Sequence, residues 1–266
     1  HERLVGSEMC IRDRLWTDSR YFLQAAEQLE GTGITLMKEG LPDTPSITAY
    51  LVSRLIKGQT VGIDGLLFSA SQVAQLRAAL QRHGLKLDTN FAPVDAIWSD
   101  RPSLPACPAF IHEDKYAGRS AVEKIARILD EVKLQGAGSL LVSDLAEVAW
   151  TLNIRSRDVN CNPVAYAFLY LAPEGNTLFI KEEKITPEVA DALAAANISV
   201  APYDSVIPFL SSLPASATVL YEGARVAARL VDALGDRAVA GASPIPLLKA
   251  VKNSTQIAGI RNAMEK

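Results

Sequence analysis

Short strand-prone and helix-prone segments alternate along most of this chain. That alternation restricts the fold more than any other feature, because a strand followed by a helix and a further strand is the signature of a parallel crossover unit. Residues 34–37, Ile-Thr-Leu-Met, are β-prone, residues 46–55 have helical spacing, and residues 60–63, Thr-Val-Gly-Ile, form a second strand. Residues 71–83 place Val73, Leu76, Ala79 and Leu80 on one helical face, which Gly84 stops. A third strand at 85–87 and a short helix at 93–98 close the first run.

Between residues 99 and 118 the pattern fails, with prolines at 102, 105 and 108 and mixed charge after them. A second run then opens with a helix at 120–134, whose apolar stripe is Val122, Ile125, Ala126, Ile128, Leu129 and Val132. Gly136 and Gly138 end it. A strand at 139–142 and a helix at 145–152 follow, and then a strand pair at 164–171 and 177–180, joined by Pro173-Glu174-Gly175-Asn176 and read as antiparallel. The chain therefore divides into an α/β domain at 1–100, a linker at 101–118, a second α/β domain at 119–248, and the start of a further unit at 249–266. Residues 34–87 and 198–240 also share one order, strand, helix, strand ending in Asp64-Gly65 or Glu222-Gly223, helix, strand, which an internal duplication explains economically.

Composition excludes several functions. At 48% hydrophobic and 21% charged the chain is globular rather than disordered. A net charge of −3 gives no field to hold a polyanion, so nucleic acid is not an expected partner. The longest apolar run, Val164 to Ala172, is about half the ~18 residues that a membrane span requires. Cysteines 10, 107 and 161 are odd in number and far apart, fitting neither a disulfide framework nor a metal knuckle and pointing to a reducing, cytoplasmic compartment. His1-Glu2-Arg3 at the front has neither an initiating Met nor an apolar signal core, which reads as a fragment of a longer protein.

The chemistry-bearing residues are sparse. His1, His83 and His112 are isolated, and the acidic group beside one of them, His112-Glu113-Asp114, reads as a solvated loop more readily than as a ligand set. No G-x-S-x-G elbow occurs, and Gly136-Ala137-Gly138 precedes a strand rather than following one, so it is a helix stop and not a phosphate loop. One segment stands out. In Leu15-Trp16-Thr17-Asp18-Ser19-Arg20-Tyr21 a strand runs into a helix that Asp18 or Ser19 can cap, which leaves Arg20 at the helix N-terminus. A cation there opposes the helix dipole, so Arg20 is either merely solvated, paired in a surface or interdomain salt bridge, for example with Asp18, or held by something anionic.

The same segment opens a series of motifs. Trp16-Thr17-Asp18-Ser19-Arg20-Tyr21-Phe22-Leu23-Gln24-Ala25-Ala26, Asp43-Thr44-Pro45, Ile97-Trp98-Ser99-Asp100-Arg101-Pro102, Asp144-Leu145-Ala146-Glu147-Val148-Ala149-Trp150, Asn153-Ile154-Arg155, Asp158-Val159, Asn162-Pro163-Val164 and Lys249-Ala250-Val251-Lys252-Asn253 resemble, in order, the cytosolic three-domain Xaa-Pro aminopeptidase family. The resemblance covers nearly all of residues 15 to 266. It departs at the front, where residues 1–14 are atypical and about the first 50 family residues have no counterpart.

The resemblance implies two tandem creatinase-type α/β domains with mixed sheets flanked by helices, and a catalytic pita-bread domain represented only by its entry helix. It implies an intact homodimeric, cytoplasmic hydrolase that removes the residue before a proline in second position, using two manganese or other divalent ions. It places no metal ligand and no catalytic residue in this chain, which is expected to bind no cofactor and to be inactive alone. Its substrate-binding residue is Arg20. An alternative is a non-catalytic interaction module from a pita-bread relative that lost its metals.

Overall fold

A computed structural model describes residues 13–265. It is α/β throughout and its described residues fall into two compact units, one of residues 13–63 and 74–88 and a larger one of residues 64–73 and 89–265.

In the smaller unit β1 (Arg14–Thr17) leads to α1 (Phe22–Leu29) and back to β2 (Thr35–Lys38), which pairs parallel with β1 from Arg14↔Thr35 to Thr17↔Lys38. After α2 (Ile47–Arg54), β3 (Thr60–Gly62), α3 (Ala70–Arg82) and β4 (Lys86–Asp88) repeat that form, with β3 and β4 parallel in the register Thr60↔Lys86. Both pairs are two-stranded, and the buried side chains include Ala25, Tyr50, Leu80 and Leu85. Tyr50 gathers the rest: Trp16 meets its ring edge-on with centroids 5.4 Å apart, and the Arg14 guanidinium lies 4.6 Å from its centroid.

The larger unit runs through α4 (Pro93–Ile97), β5 (Phe110–Ile111), α5 (Asp114–Ala117), α6 (Ala121–Leu134), β6 (Ser139–Val142), α7 (Leu145–Leu152) and β7 (Ile154–Arg155). It continues with β8 (Ala167–Leu171), β9 (Asn176–Ile180), α8 (Pro187–Ala195), β10 (Ile198–Pro202), α9 (Val206–Ser212) and β11 (Val219–Tyr221). The last elements are α10 (Ala228–Leu234), β12 (Ala238–Ala240), α11 (Ile245–Ala250) and α12 (Ser254–Met264). Six strands form one mixed sheet in the order β10-β9-β8-β6-β11-β12, in which β8 is antiparallel to both of its neighbours and the remaining pairs are parallel.

Side chains of this sheet alternate between two cores, as a period of two requires. Leu140, Val142, Leu169, Leu171, Leu178 and Ile180 face a cluster completed by Ile125, Ile128 and Val132 of α6, Val148 and Leu152 of α7, and Val189 and Leu193 of α8. Leu141, Tyr170 and Phe179, the residues between them, face Val206, Leu210, Leu230 and Leu234 of α9 and α10. The capping box at Ser120 fixes the start of α6, with Glu123 N donating to Ser120 Oγ at 3.3 Å and Ser120 N to Glu123 Oε2 at 2.8 Å.

Several expectations need correction. The span 101–118 is not wholly a linker: β5 pairs with β7, Phe110↔Arg155, and Ala109 and Ala117 are buried, because backbone atoms of 109–112 bond to Lys184 and Asn153. The helix at 187–195 was not foreseen, although Thr186 caps it and Pro187 begins it. In α6 the stripe is narrower than expected, since Val122 is exposed and Lys124 is buried. The strand at 164–171 begins at Ala167, and the helix that follows Glu222-Gly223 begins only at Ala228.

That late start belongs to the proposed duplication. β3-α3-β4 and β11-α10-β12 are both parallel crossovers, β11 meeting β12 at Val219↔Ala238. Within the larger unit the two strand-to-helix turns exchange the same bonds: Ala70 N to Val226 O and Ala228 N to Phe68 O, each 2.9 Å, then Ser71 N to Gly223 O at 2.9 Å and Arg229 N to Gly65 O at 3.2 Å. Glycine is required at the first of these turns, where a Cβ would clash with backbone, while at the second it would press on a side-chain hydroxyl. A Cβ on Gly65 would stand 2.8 Å from Thr89 O, and one on Gly223 2.6 Å from Ser71 Oγ.

Candidate functional site

The turn after β1 carries the expected binding residue. Trp16 is anchored by its indole, Nε1 donating to Pro45 O at 2.9 Å. Asp18, extended at φ −81° and ψ 170°, caps a single 3-10 turn, Ser19–Tyr21, by accepting from Arg20 N at 3.0 Å, and α1 then starts at Phe22. The unfavourable cation at a helix start is answered by the same carboxylate. Arg20 Nε donates to Asp18 Oδ1 at 2.9 Å and Nη2 to Oδ2 at 2.7 Å, a bidentate pair, while the Tyr21 ring centroid lies 5.7 Å from Cζ. The hydrogen bonds from Arg20 hold the Asp18 carboxyl down at about 2, and Asp18 in turn raises Arg20. The Arg20 side chain remains 77% exposed, so the edge carrying Nη1 is open to a ligand.

The other candidates do not assemble around it. His112 stacks on Tyr116 with centroids 6.0 Å apart, and burial pushes its imidazole below the usual value, with Arg155 and Lys124 adding to the effect. Its neighbours turn elsewhere: Glu113 pairs with Lys115 at 2.7 Å, and Asp114 accepts from Asn153 Nδ2 at 3.0 Å. Gly136 takes φ 78° and donates to Lys133 O, the helix stop foreseen from sequence. Cys107 is half-buried and Cys161 exposed, whereas Cys10 and His1 lie outside the described residues. Among the described residues, no three His, Cys, Asp or Glu side chains are placed to hold a metal ion, and no helix is long and apolar enough to cross a membrane.

Sequence reasoning missed the buried charges of the larger unit. Lys184 and Asp158 form an ion pair with both side chains at 0% exposure, and Asp158 Oδ2 also accepts from Tyr166 N at 2.8 Å. In the sequence Asp158 stands only within a motif, and Lys184, 26 positions on, carries no signal. Lys124 donates to Trp150 O at 2.8 Å and to Asn153 Oδ1, and burial, with the nearby Arg155 charge, brings its ammonium down to about 8. Arg225 meets Asp144 at 2.6 Å, Glu147 at 2.9 Å and Glu222 at 3.2 Å, and Glu147, raised by burial, also accepts from Ser243 Oγ at 2.8 Å. The Lys184–Asp158 pair and Lys124 are bonded inside the fold, whereas Arg225 is partly exposed and leaves Glu147 Oε1 buried without a hydrogen bond.

Two models of the creatinase/prolidase N-terminal domain match the chain in succession, over residues 9–100 and 100–256. The chain belongs to the creatinase/prolidase N-terminal domain family. Its curated relatives include Aminopeptidase P2 of Arabidopsis thaliana, 33% identical over 97% of this chain and 41% of that protein. Another is the Xaa-Pro aminopeptidase 1 of Dictyostelium discoideum, 32% identical over 97% of this chain and 43% of that one. The crystal structure of X-prolyl aminopeptidase from Caenorhabditis elegans, described as a cytosolic enzyme with a di-nuclear active site, superposes with a TM-score of 0.85 at 28% identity. That match covers 94% of this creatinase/prolidase N-terminal chain and 42% of the enzyme. The chain thus spans about two-fifths of the length of the curated relatives it matches.

Proposed function

We propose that this chain is the N-terminal, two-domain portion of a metal-dependent Xaa-Pro aminopeptidase, which removes the N-terminal residue from peptides with proline in second position. The superposition on the C. elegans enzyme carries the reading, since it follows 94% of this chain at a TM-score of 0.85. Residues 1–100 and 119–248 form the two creatinase-like domains of this proposal, and 249–266 leads into the catalytic one. Their work is to wall the active-site cleft, restrict entry to peptide ends, support a homodimer and present Arg20 to the bound peptide. Two divalent ions, manganese in this reading, belong to the remainder of the full-length protein. Among the described residues, no His, Cys, Asp and Glu side chains converge to hold them.

The test compares the full-length protein with the 266-residue chain on a peptide of the form Xaa-Pro-Xaa. The full-length protein is expected to release the first residue and the chain alone to give no turnover with added manganese. An inert full-length protein would favour a binding module instead. Arg20→Ala in the full-length protein is expected to lower kcat/KM by about 10-fold or more, because one charge-assisted hydrogen bond contributes about 1.5–3 kcal/mol.

A further inference from the structure

The geometry of Arg20 says what kind of acceptor it takes, given the proposed role in peptide binding. A guanidinium has two edges able to form paired hydrogen bonds. Asp18 occupies one of them completely, through Nε at 2.9 Å and Nη2 at 2.7 Å, and the same carboxylate fixes the backbone of the turn through Arg20 N at 3.0 Å. The side chain is therefore tied at both ends although it is 77% exposed, and binding a ligand costs little further rotamer freedom. The carboxyl is held down at about 2, so its negative charge persists across the working pH range.

That charge bears on the ligand. An acceptor at the free edge lies nearest the guanidinium, with Asp18 behind it at roughly twice the distance. Since Coulomb energy falls as the inverse of distance, the Asp18 charge cancels about half of the attraction that Arg20 exerts on an anion. A neutral carbonyl loses far less by this, because directional hydrogen bonds from oriented N–H groups hold it. We propose that Arg20 receives an uncharged backbone carbonyl of the peptide rather than its terminal carboxylate, with Asp18 as the positioning residue that sets this preference.

The experiment uses the full-length protein and Xaa-Pro peptides of three, four and five residues, each made as the free acid and as the C-terminal amide. For the wild type, kcat/KM is expected to agree between acid and amide within about twofold at every length, and KM to be insensitive to added salt. Asp18→Asn keeps an oxygen to cap the turn and removes the charge. It is expected to lower kcat/KM for the amides by at least about threefold and to move the acid-to-amide ratio toward the acids by a similar factor. Asp18→Ser, also able to cap, should behave alike, and melting temperatures of both variants near wild type separate this from a loss of fold. A free-acid preference of about fivefold or more in the wild type, or a ratio that does not move in Asp18→Asn, overturns the carbonyl assignment. If Arg20→Ala leaves kcat/KM unchanged for acids and amides alike, the underlying role of Arg20 in peptide binding falls, and this inference with it.

Discussion

The two compact units are written in the same alternation of strands and helices but are held together differently. In the larger one a six-stranded sheet buries both faces, and its strands β6, β8 and β9 read as almost unbroken apolar runs. In the smaller one the four strands form two separate parallel pairs, and the ring of Tyr50, ringed by Trp16, Arg14 and Arg54, takes the place of a second sheet face. The difference shows that alternation specifies elements and their order. The number of strands that share one sheet then decides whether polar chemistry must be buried, since a two-sided core leaves a chain that crosses it no access to water.

Removing one partner of the buried ion pair tests this at its strongest. Asp158→Ala strands the Lys184 ammonium at 0% exposure and frees the backbone N–H of Tyr166, so denaturant unfolding of the larger unit should lose about 3–5 kcal/mol. Replacing both, Asp158→Leu with Lys184→Met, should recover most of the loss, because the charge no longer needs a partner. A single variant within about 1 kcal/mol of wild type would show that water reaches the pair.

Truncating the cores comes next. Leu169 of β8 and Leu80 of α3 are both at 0% exposure, and Leu→Ala at either should cost about 2–5 kcal/mol. The consequence should differ by region. Leu169→Ala should speed amide exchange throughout β6, β8 and β9, whereas Leu80→Ala should speed it in β3 and β4 and leave β8 protected. Equal acceleration everywhere in both variants would mean that the molecule opens as one body and that the contrast between the regions has no energetic content.

Much of this frame was legible in the sequence. The order of most strands and helices, the antiparallel β8–β9 pair and the Gly136 stop follow from period and punctuation, which act locally. The resemblance in the Trp16–Tyr21 segment located Arg20, and Asp18 could be read as its partner because two residues separate them. Apart from the helix at 187–195, whose Thr186-Pro187 start is a local signal, what escapes reading is non-local. The span 101–118 has the composition of a linker, yet β5 pairs with β7 about 45 residues on. The Asp158–Lys184 pair and the burial of Lys124 on an otherwise ordinary helix depend on which strands become neighbours, and no short-range pattern encodes that.

Lys124 offers a pH-dependent measure of the buried polar chemistry of the larger unit. Its ammonium is brought from 10.5 to about 8, so between those values the unfolded chain holds a proton that the folded one has released. Unfolding free energy should therefore rise with pH across about 8 to 10.5, by linkage. Below pH 8 both states are protonated and the slope vanishes. Lys124→Met should abolish the rise, and a slope unchanged in that variant would assign it to another group.

The smallest expected effect concerns how the helices begin. Ser120 caps α6 within a complete box, its N–H bonded to Glu123 at 2.8 Å as well as its hydroxyl to the third-residue N–H. Ser46 caps α2 through one bond, accepting from Ala49 N at 3.2 Å. Alanine at Ser120 removes the hydroxyl and, by freeing Glu123, loosens its return bond, so the larger unit should lose about 1–2 kcal/mol; alanine at Ser46 removes a single long bond and should cost about 0.5–1 kcal/mol in the smaller unit. Ser120→Gly should recover part of its loss, since glycine leaves the helix-end N–H groups open to water. Site-resolved amide exchange of the first turns of α6 and α2 reads both costs in one sample. If the exposed N-terminus of α2 proved the more sensitive, capping in this fold would be governed by solvent access rather than by the completeness of the box, and the larger unit would owe its rigidity to the sheet alone.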